Sequence, residues 1–180
     1  ELRQLAEMIG SAGRITIFCG IGAREAHDEV VRLAAMLKAP VAYTFKAKME
    51  VQYDNPYEIG MTGLLGLPSA YGAMHESDLL LLLGTDFPYD CFLPSECRIA
   101  QVDIRPERIG RRARVGLGLA GDVKDTLQAL LPMLRERSDR TFLDRQLKIY
   151  RALCDDMAAV ASKRGSTGNI APEYVATLID

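Results

Sequence analysis

The sequence is poor in the residues that build metal sites. It has two histidines, His27 and His75, so a histidine-based metal site would need carboxylate ligands from elsewhere in the chain. Its cysteines show neither Cys-x-x-Cys nor another metal-binding spacing; they are Cys19, Cys91, Cys97 and Cys154. Cys91 and Cys97 are close enough in sequence to pair, but we favour a reduced, intracellular protein. No metal ligand is predicted in this chain.

Excess charge and long apolar runs are also missing. The formal net charge of -2 gives no reason to expect nucleic acid as a partner. No apolar run approaches the roughly 20 residues that span a bilayer. The 180 residues are 48% hydrophobic and 26% charged, which indicates one soluble globular domain with a sizeable core. No Ser/His/Asp set and no carboxylate pair in a catalytic context is apparent, so no catalytic residue is predicted.

The chain is organised around an unbroken run of five leucines, Leu79–Leu83. Such a run has no polar face, so a strand formed by it is expected to be buried on both sides, at or near the centre of a parallel sheet. Gly84, Thr85 and Asp86 follow it. In open parallel sheets, ligands bind beyond the carboxyl ends of the strands, so these three residues are predicted to border a binding site.

Other apolar runs alternate with amphipathic helical patterns. Strands are predicted at residues 14–19, 41–45, 98–104 and 115–120, with a further short strand around 57–59 inside a long connection, 46–68. Helical patterns lie between most of them, and Asp122 is placed to cap the helix that follows the last strand. A longer helix is predicted over 142–163 and a linker over 165–169. The apolar stripe of that helix is expected to be core; it consists of Leu143, Leu147, Tyr150, Leu153, Met157 and Val160. The pattern is that of an α/β, doubly wound, Rossmann-like parallel sheet of five or six strands.

Two glycine-rich segments follow predicted strands. Gly20-Ile21-Gly22 matches half of a dinucleotide fingerprint, because Glu25 stands where the third glycine belongs; it is either a phosphate site or a tight turn with no ligand. The segment 60–64 (Gly-Met-Thr-Gly-Leu) is the stronger candidate, since its glycines expose backbone N–H groups to a phosphate or a polar ligand. Its alternative is a surface loop in which the glycines only allow bends.

Charged residues near the last strands also have two interpretations. Asp103, at the end of its strand, accepts hydrogen bonds either from a ribose or adenine group of a ligand or from the turn that follows. The arginines after it could hold a phosphate or an acidic partner, but a solvated face is the interpretation we favour. They are Arg105, Arg108, Arg111, Arg112 and Arg114.

Four segments together resemble one enzyme family. They are residues 53–57 (Tyr-Asp-Asn-Pro-Tyr), 60–66 (Gly-Met-Thr-Gly-Leu-Leu-Gly), 78–88, and 102–106 (Val-Asp-Ile-Arg-Pro). The chain resembles the central domain of thiamin-diphosphate enzymes, in the branch of pyruvate oxidases and pyruvate:quinone dehydrogenases. The resemblance implies a central FAD-binding domain over residues 1–164, followed at 165–180 by a linker and the start of a diphosphate-binding domain. We therefore expect the sequence to be part of a longer chain.

The resemblance implies a cofactor site. FAD would be held here, chiefly by its adenosine and diphosphate parts, while thiamin diphosphate and Mg²⁺ would bind in the other domains. The residues that match the family's FAD segments are Met61, Thr62, Gly63, Leu64, Gly84, Thr85, Asp86, Phe87, Pro88, Val102, Asp103 and Asp122. One departure is Ala47, which stands between Lys46 and Lys48 where relatives usually have a glycine. This substitution is expected to change the flexibility of the cofactor loop.

Further properties follow from the resemblance alone. The expected partners are the two other domains of the parent chain, pyruvate as substrate, and further copies in a homo-tetramer. The expected location is the cytoplasm, with peripheral attachment at the inner membrane face as an option for the full-length protein. The alternatives are an acetolactate synthase that keeps FAD without redox use, a 2-oxo acid decarboxylase without flavin, and a non-enzymatic assembly domain.

Overall fold

The fold is a parallel sheet with helices on both faces, seen in a computed structural model that describes residues 1–161 and 172–179. The six strands lie in the order β3-β2-β1-β4-β5-β6, and every neighbouring pair is parallel. Their bounds are β1 Ile15–Cys19, β2 Val41–Tyr43, β3 Glu58–Met61, β4 Leu79–Leu83, β5 Arg98–Asp103 and β6 Leu117–Ala120. The predicted doubly wound α/β class is confirmed, with six strands.

The helices divide between the two faces. α1, α2 and α5 cover one face, and α4 and α6 cover the other. The bounds are α1 Leu2–Ser11, α2 His27–Leu37, α3 Lys48–Val51, α4 Pro68–Glu76, α5 Val123–Leu130, α6 Thr141–Ala161 and α7 Pro172–Ile179. Among the helices described, none is long and apolar enough to cross a membrane.

The leucine strand lies where it was predicted. β4 pairs with β1 on one side and with β5 on the other, and its five leucines are 0–3% exposed. Leu79, Leu81 and Leu83 pack under α1, α2 and α5, whereas Leu80 and Leu82 pack under α4 and α6. Each buried leucine contributes about 1.5–3 kcal/mol to folding. β4 therefore contributes to two apolar cores, one on each face of the sheet.

The long connection 46–68 is more ordered than predicted. It contains the helix α3 and the whole of β3, which extends to Met61 and forms the sheet edge next to β2. Asn55 organises the turn between them: its side-chain amide donates to the Val51 carbonyl at 2.8 Å and accepts from the Tyr57 N–H at 3.1 Å. The short strand predicted around 57–59 is confirmed as β3, whereas the helix α3, which completes the crossover between the parallel strands β2 and β3, was not predicted.

α6 is only partly a core helix. Leu143 and Leu147 are buried, as predicted, but Met157 and Val160 near its end are 47% and 50% exposed. The prediction that the apolar stripe is core along its whole length was therefore wrong for the last two turns. The predicted linker, 165–169, lies outside the described residues, and the domain boundary stays a prediction.

An ion pair at the amino edge of the sheet gives a pH-dependent prediction. The Arg14 guanidinium donates to Asp78 Oδ1 at 2.7 Å, and this bond holds the pKa of Asp78 below its usual value. A carboxyl with a lowered folded pKa adds stability above its unfolded pKa, and that stability is lost as the pH falls through the folded pKa. We expect Asp78→Asn to cost less than about 1 kcal/mol at pH 7, because the pair is partly exposed.

The measurement is urea unfolding of both proteins at neutral pH and near pH 3. The difference between wild type and Asp78→Asn should shrink toward the acid end, where the wild-type carboxyl becomes protonated. Asp155→Asn, at an exposed position of α6, is the matched control and should show no such trend. A difference that is constant with pH would contradict the assignment.

Candidate functional site

The site begins where the strand order reverses. β1 and β4 are neighbours at the middle of the sheet, and the chain leaves them toward opposite faces, so their carboxyl ends form the crevice in which such sheets bind ligands. The backbones that follow them are bonded together: Gly20 N–H donates to the Leu83 carbonyl at 2.8 Å, and Gly22 N–H donates to the Gly84 carbonyl at 3.0 Å.

The glycines at this point are required by the chain itself. Gly84 has φ +62, and a Cβ there would lie 2.5 Å from Gly22 Cα; a Cβ on Gly20 would lie 2.4 Å from the Gly84 carbonyl oxygen. The ring of His27, the first residue of α2, stacks on Tyr53 with centroids 4.0 Å apart. The geometry of Gly20-Ile21-Gly22 thus favours the tight turn over a phosphate site on α2.

Two adjoining cavities lie over the crevice. The β5 cavity, of about 310 Å³, lies beyond β5 and is lined by Arg24, Glu25, Asp103, Ile104, Arg105, Asp122 and Val123, with Gly22 beside them. The β4 cavity, of about 490 Å³, lies beyond β4 and is lined by residues 84–89, residues 44–46 and Arg112. Both are also lined by Ile21, Gly84 and Arg108. Arg108 therefore lies at the junction of one elongated cleft.

Arginines give the β4 cavity its charge. Asp86, whose side chain is 14% exposed, accepts from Arg112 Nε at 2.9 Å and from an Arg111 terminal nitrogen at 3.1 Å, and Arg108 Nε is 4.0 Å away. One carboxylate thus faces three guanidinium groups. The solvated-face interpretation was wrong for Arg108 and Arg112, which line the cavity. Their excess positive charge suits a phosphate or diphosphate.

Carboxylates and arginines lie together at the other end of the cleft, in equal number among the residues that line the β5 cavity. Asp103 Oδ1 accepts from the Arg105 N–H at 2.9 Å, which confirms the turn-capping interpretation, and the side chain also borders the β5 cavity. Asp122 lines the same cavity and caps α5, as predicted, by accepting from the Asp125 N–H at 3.1 Å. Free carboxylate lone pairs at this end can accept from ribose hydroxyls or an adenine amino group.

The segment 61–64 lies behind the β4 cavity. A Cβ added to Gly63, which has φ +118, would come within 3.4 Å of the Phe87 ring that lines the cavity. Thr62 is 5% exposed, and its hydroxyl has no hydrogen-bond partner within the described residues. It borders a separate apolar hollow of about 320 Å³ with Tyr71 and Phe92. An orphaned buried hydroxyl is costly, so a ligand group or water is expected to pair with it.

The predicted site residues therefore fall into groups. Gly84, Thr85, Asp86, Phe87 and Pro88 line the β4 cavity, and Asp103 and Asp122 line the β5 cavity. Thr62 and Gly63 border the third hollow, Leu64 is 71% exposed, and Met61 is half-buried at the end of β3. Val102 is buried in the core, and its carbonyl accepts from the Gly84 N–H at 2.8 Å, so its role toward a ligand would be indirect.

The family is settled by comparison with known proteins. The family model described as "Thiamine pyrophosphate enzyme, central domain" matches residues 2–130. The chain belongs to this family. A Pseudomonas amyloderamosa protein, described as an uncharacterized protein in the isoamylase 3′ region, is 54% identical over 84% of this chain. An acetolactate synthase of Mycobacterium avium is 30% identical over 97% of the chain, and a pyruvate oxidase of Lactiplantibacillus plantarum is 29% identical over 74%.

These relatives are longer proteins. The chain spans 38% of the Pseudomonas protein, 30% of the acetolactate synthase and 23% of the pyruvate oxidase. Among solved structures, benzoylformate decarboxylase from Polynucleobacter necessarius matches 76% of this chain and 27% of its own, with a TM-score of 0.64 and 23% identity. That likeness shows a shared fold. The relatives that share this central domain are therefore named for different activities, among them an acetolactate synthase and a pyruvate oxidase.

Several cleft residues of this central domain escaped the sequence analysis. Lys46 follows β2 and could have been found by the rule that ligands bind at the carboxyl ends of strands. Arg24 had no such signal, because the folding of the turn after β1 brings it to the cleft. Arg108 belongs to the arginine cluster for which phosphate binding was the less favoured interpretation. Within the described residues, no group of His, Cys, Asp and Glu is arranged to hold a metal ion.

Proposed function

We propose that this central domain holds the adenosine diphosphate part of FAD, within a full-length enzyme of the pyruvate oxidase or pyruvate:quinone dehydrogenase type. The observation that carries the proposal is the cleft joined at Arg108. At the β5 end three carboxylates, suited to a ribose and adenine, lie beside three arginines, so the charges of the lining balance. At the β4 end Lys46, Arg108 and Arg112 face the single carboxylate of Asp86, and this net positive charge suits a diphosphate.

The residues present fit this cofactor. Phosphate oxygens would accept hydrogen bonds from Arg108 and Arg112, which line the β4 cavity. FAD, when bound, supplies electron-transfer chemistry. The chain's own contribution is to bind and orient it, while the resemblance assigns thiamin diphosphate, Mg²⁺ and pyruvate to other parts of the full-length protein.

The branch within the family is supported by the run 53–66 together with residues 87–89, which resemble those of the oxidases, and the retained segments 60–63 and 84–88 favour a flavin. The alternative is an acetolactate synthase in which FAD has no redox use, and the similarity to the Mycobacterium avium enzyme supports it. Bleaching of the bound flavin when pyruvate is added to the full-length protein would be the sign of an oxidase. Decarboxylation of pyruvate by a protein without flavin would instead favour a decarboxylase.

The domain-level proposal is tested by titrating the chain with FAD and following flavin fluorescence. Binding is expected to be weak, since contacts from other domains are missing while most of the entropic cost of association persists. ADP should displace the bound FAD, because both present the same diphosphate and adenosine to the cleft. Riboflavin, which lacks both groups, is the matched control and should not compete. Displacement by riboflavin but not by ADP would contradict the proposal.

A further inference from the structure

A buried amide connects the parts of the cleft. Gln101, in the middle of β5, is 4% exposed. Its Nε2 donates to the Thr85 carbonyl at 3.1 Å and to the Arg108 carbonyl at 3.3 Å, and its Oε1 accepts from the Gly110 N–H at 2.9 Å. One side chain thereby joins β5, the segment after β4, and the turn that carries Arg108.

The position of this amide is chemically unusual. The preceding residue on the same face of β5, Ile99, lies in the apolar core under α4 and α6. A buried amide is costly unless its groups are hydrogen-bonded, and an apolar side chain would avoid that cost. All three bonds of Gln101 go to backbone groups of cleft-forming segments. The amide therefore holds the backbone segments of the cleft in place. An apolar residue would be enough if this position served only to pack the core.

Arg108 is the residue most directly affected. Its main-chain carbonyl is held by Gln101, and its side chain lines both cavities. Two residues later, Gly110 adopts φ +74 and directs its N–H to the same amide. The turn from Pro106 to Gly110 is otherwise held by its own backbone hydrogen bonds and by the Ile109 side chain, which packs against Gly118 of β6. The amide of Gln101 adds two hydrogen bonds from β5 to the backbone of this turn.

We propose that Gln101 is a positioning residue, which holds the turn 106–110 so that the Arg108 guanidinium lies at the junction of the two cavities and meets the phosphates of a nucleotide ligand. The proposal rests on the proposed function for its ligand, but the anchoring of the turn does not depend on that ligand. Gln101 itself acts only through the backbone.

The test uses Gln101→Met, which keeps the length of the side chain and removes the amide. We expect the affinity for FAD and for ADP to fall by about tenfold, because the turn loses the two hydrogen bonds that the amide makes to it and Arg108 is then correctly placed in only a fraction of the molecules. In a double-mutant cycle, Gln101→Met combined with Arg108→Ala should bind no more weakly than Arg108→Ala alone, because both changes remove the same contact. Additive losses would overturn the proposal.

A second measurement needs no ligand. Trypsin should cleave after Arg108, Arg111 or Arg112 faster in Gln101→Met than in the wild type, because the turn opens more often. Ser77→Ala is the matched control: it removes a buried hydroxyl bonded to Thr16 and Ala73 at the opposite edge of the sheet, and cleavage at the turn should not change. Gly110→Ala, which strains the turn at an exposed position with free space around it, should increase cleavage like Gln101→Met.

The outcomes separate the two proposals. If the wild type bound neither FAD nor ADP, the proposed function would be wrong. Unchanged cleavage at the turn in both Gln101→Met and Gly110→Ala would overturn the positioning role, whether or not the wild type binds nucleotide. Faster cleavage in both, with the control unchanged, is the result expected.

Discussion

Gly84→Ala is expected to destabilise the domain by about 2–5 kcal/mol, from left-handed backbone strain and a clash that side-chain rotation cannot relieve. A Cβ there would lie 2.5 Å from Gly22 Cα and 2.6 Å from Gly22 C, and both of these atoms belong to the backbone. The ends of β1 and β4 would have to separate. The hydrogen bond from the Gly22 N–H to the Gly84 carbonyl would then be lost as well.

The measurement is chemical unfolding of the wild type and the variant. Gly72→Ala is the matched control, because Gly72 lies inside α4 and a Cβ added there would have nothing within 4 Å. That change should stabilise the protein by about 0.5–1 kcal/mol. If Gly84→Ala kept full stability and lost only nucleotide binding, the glycine would serve the ligand, and our account of it as a backbone contact would be wrong.

Arg108→Glu is expected to lower the affinity for FAD and ADP by about a hundredfold or more, since it replaces a charge-assisted donor with a repelling carboxylate at the junction of the two cavities. Stability should change little, because the Arg108 side chain is partly exposed and lies 4.0 Å from Asp86. Binding is measured by flavin fluorescence and by ADP competition at fixed ionic strength.

Arg114→Glu is the control for net charge. Arg114 is exposed and near the same turn, but it is not among the residues that line either cavity. The control should therefore lose only a small part of the affinity, through long-range attraction that added salt screens. Equal losses in the two variants would mean that the overall charge attracts the nucleotide and that Arg108 makes no specific contact.

Much of the fold could be predicted because its signals are local. The five leucines of β4 specify a strand buried on both faces, and Asp122 caps α5 in the way that its position before an apolar helix indicates. The carboxyl-end rule also selected Gly84, Thr85 and Asp86, to which the family resemblance added Phe87 and Pro88, and all five line the β4 cavity. In each case the property depends on residues adjacent in the chain or on the general geometry of parallel sheets.

What could not be predicted depends on contacts between distant segments. The arginines after β5 were predicted to form a solvated face, because nothing in the sequence places Arg112 beside Asp86, 26 positions away. The apolar stripe of α6 likewise continues beyond the residues it packs against, leaving Met157 exposed. A helical pattern shows which face is apolar, but it does not show where the supporting sheet ends.

The membership of β4 in both cores also bears on how the protein opens. Local fluctuations expose backbone amides to hydrogen exchange where few apolar contacts must break. Releasing β4 would disrupt the packing on both faces of the sheet and the pairing of β4 with β1 and β5. The amides of Leu80 to Leu82 should therefore exchange only through global unfolding, with protection that equals the full stability. The amides of the edge strand β3, which pairs with β2 alone, should exchange earlier, through partial opening.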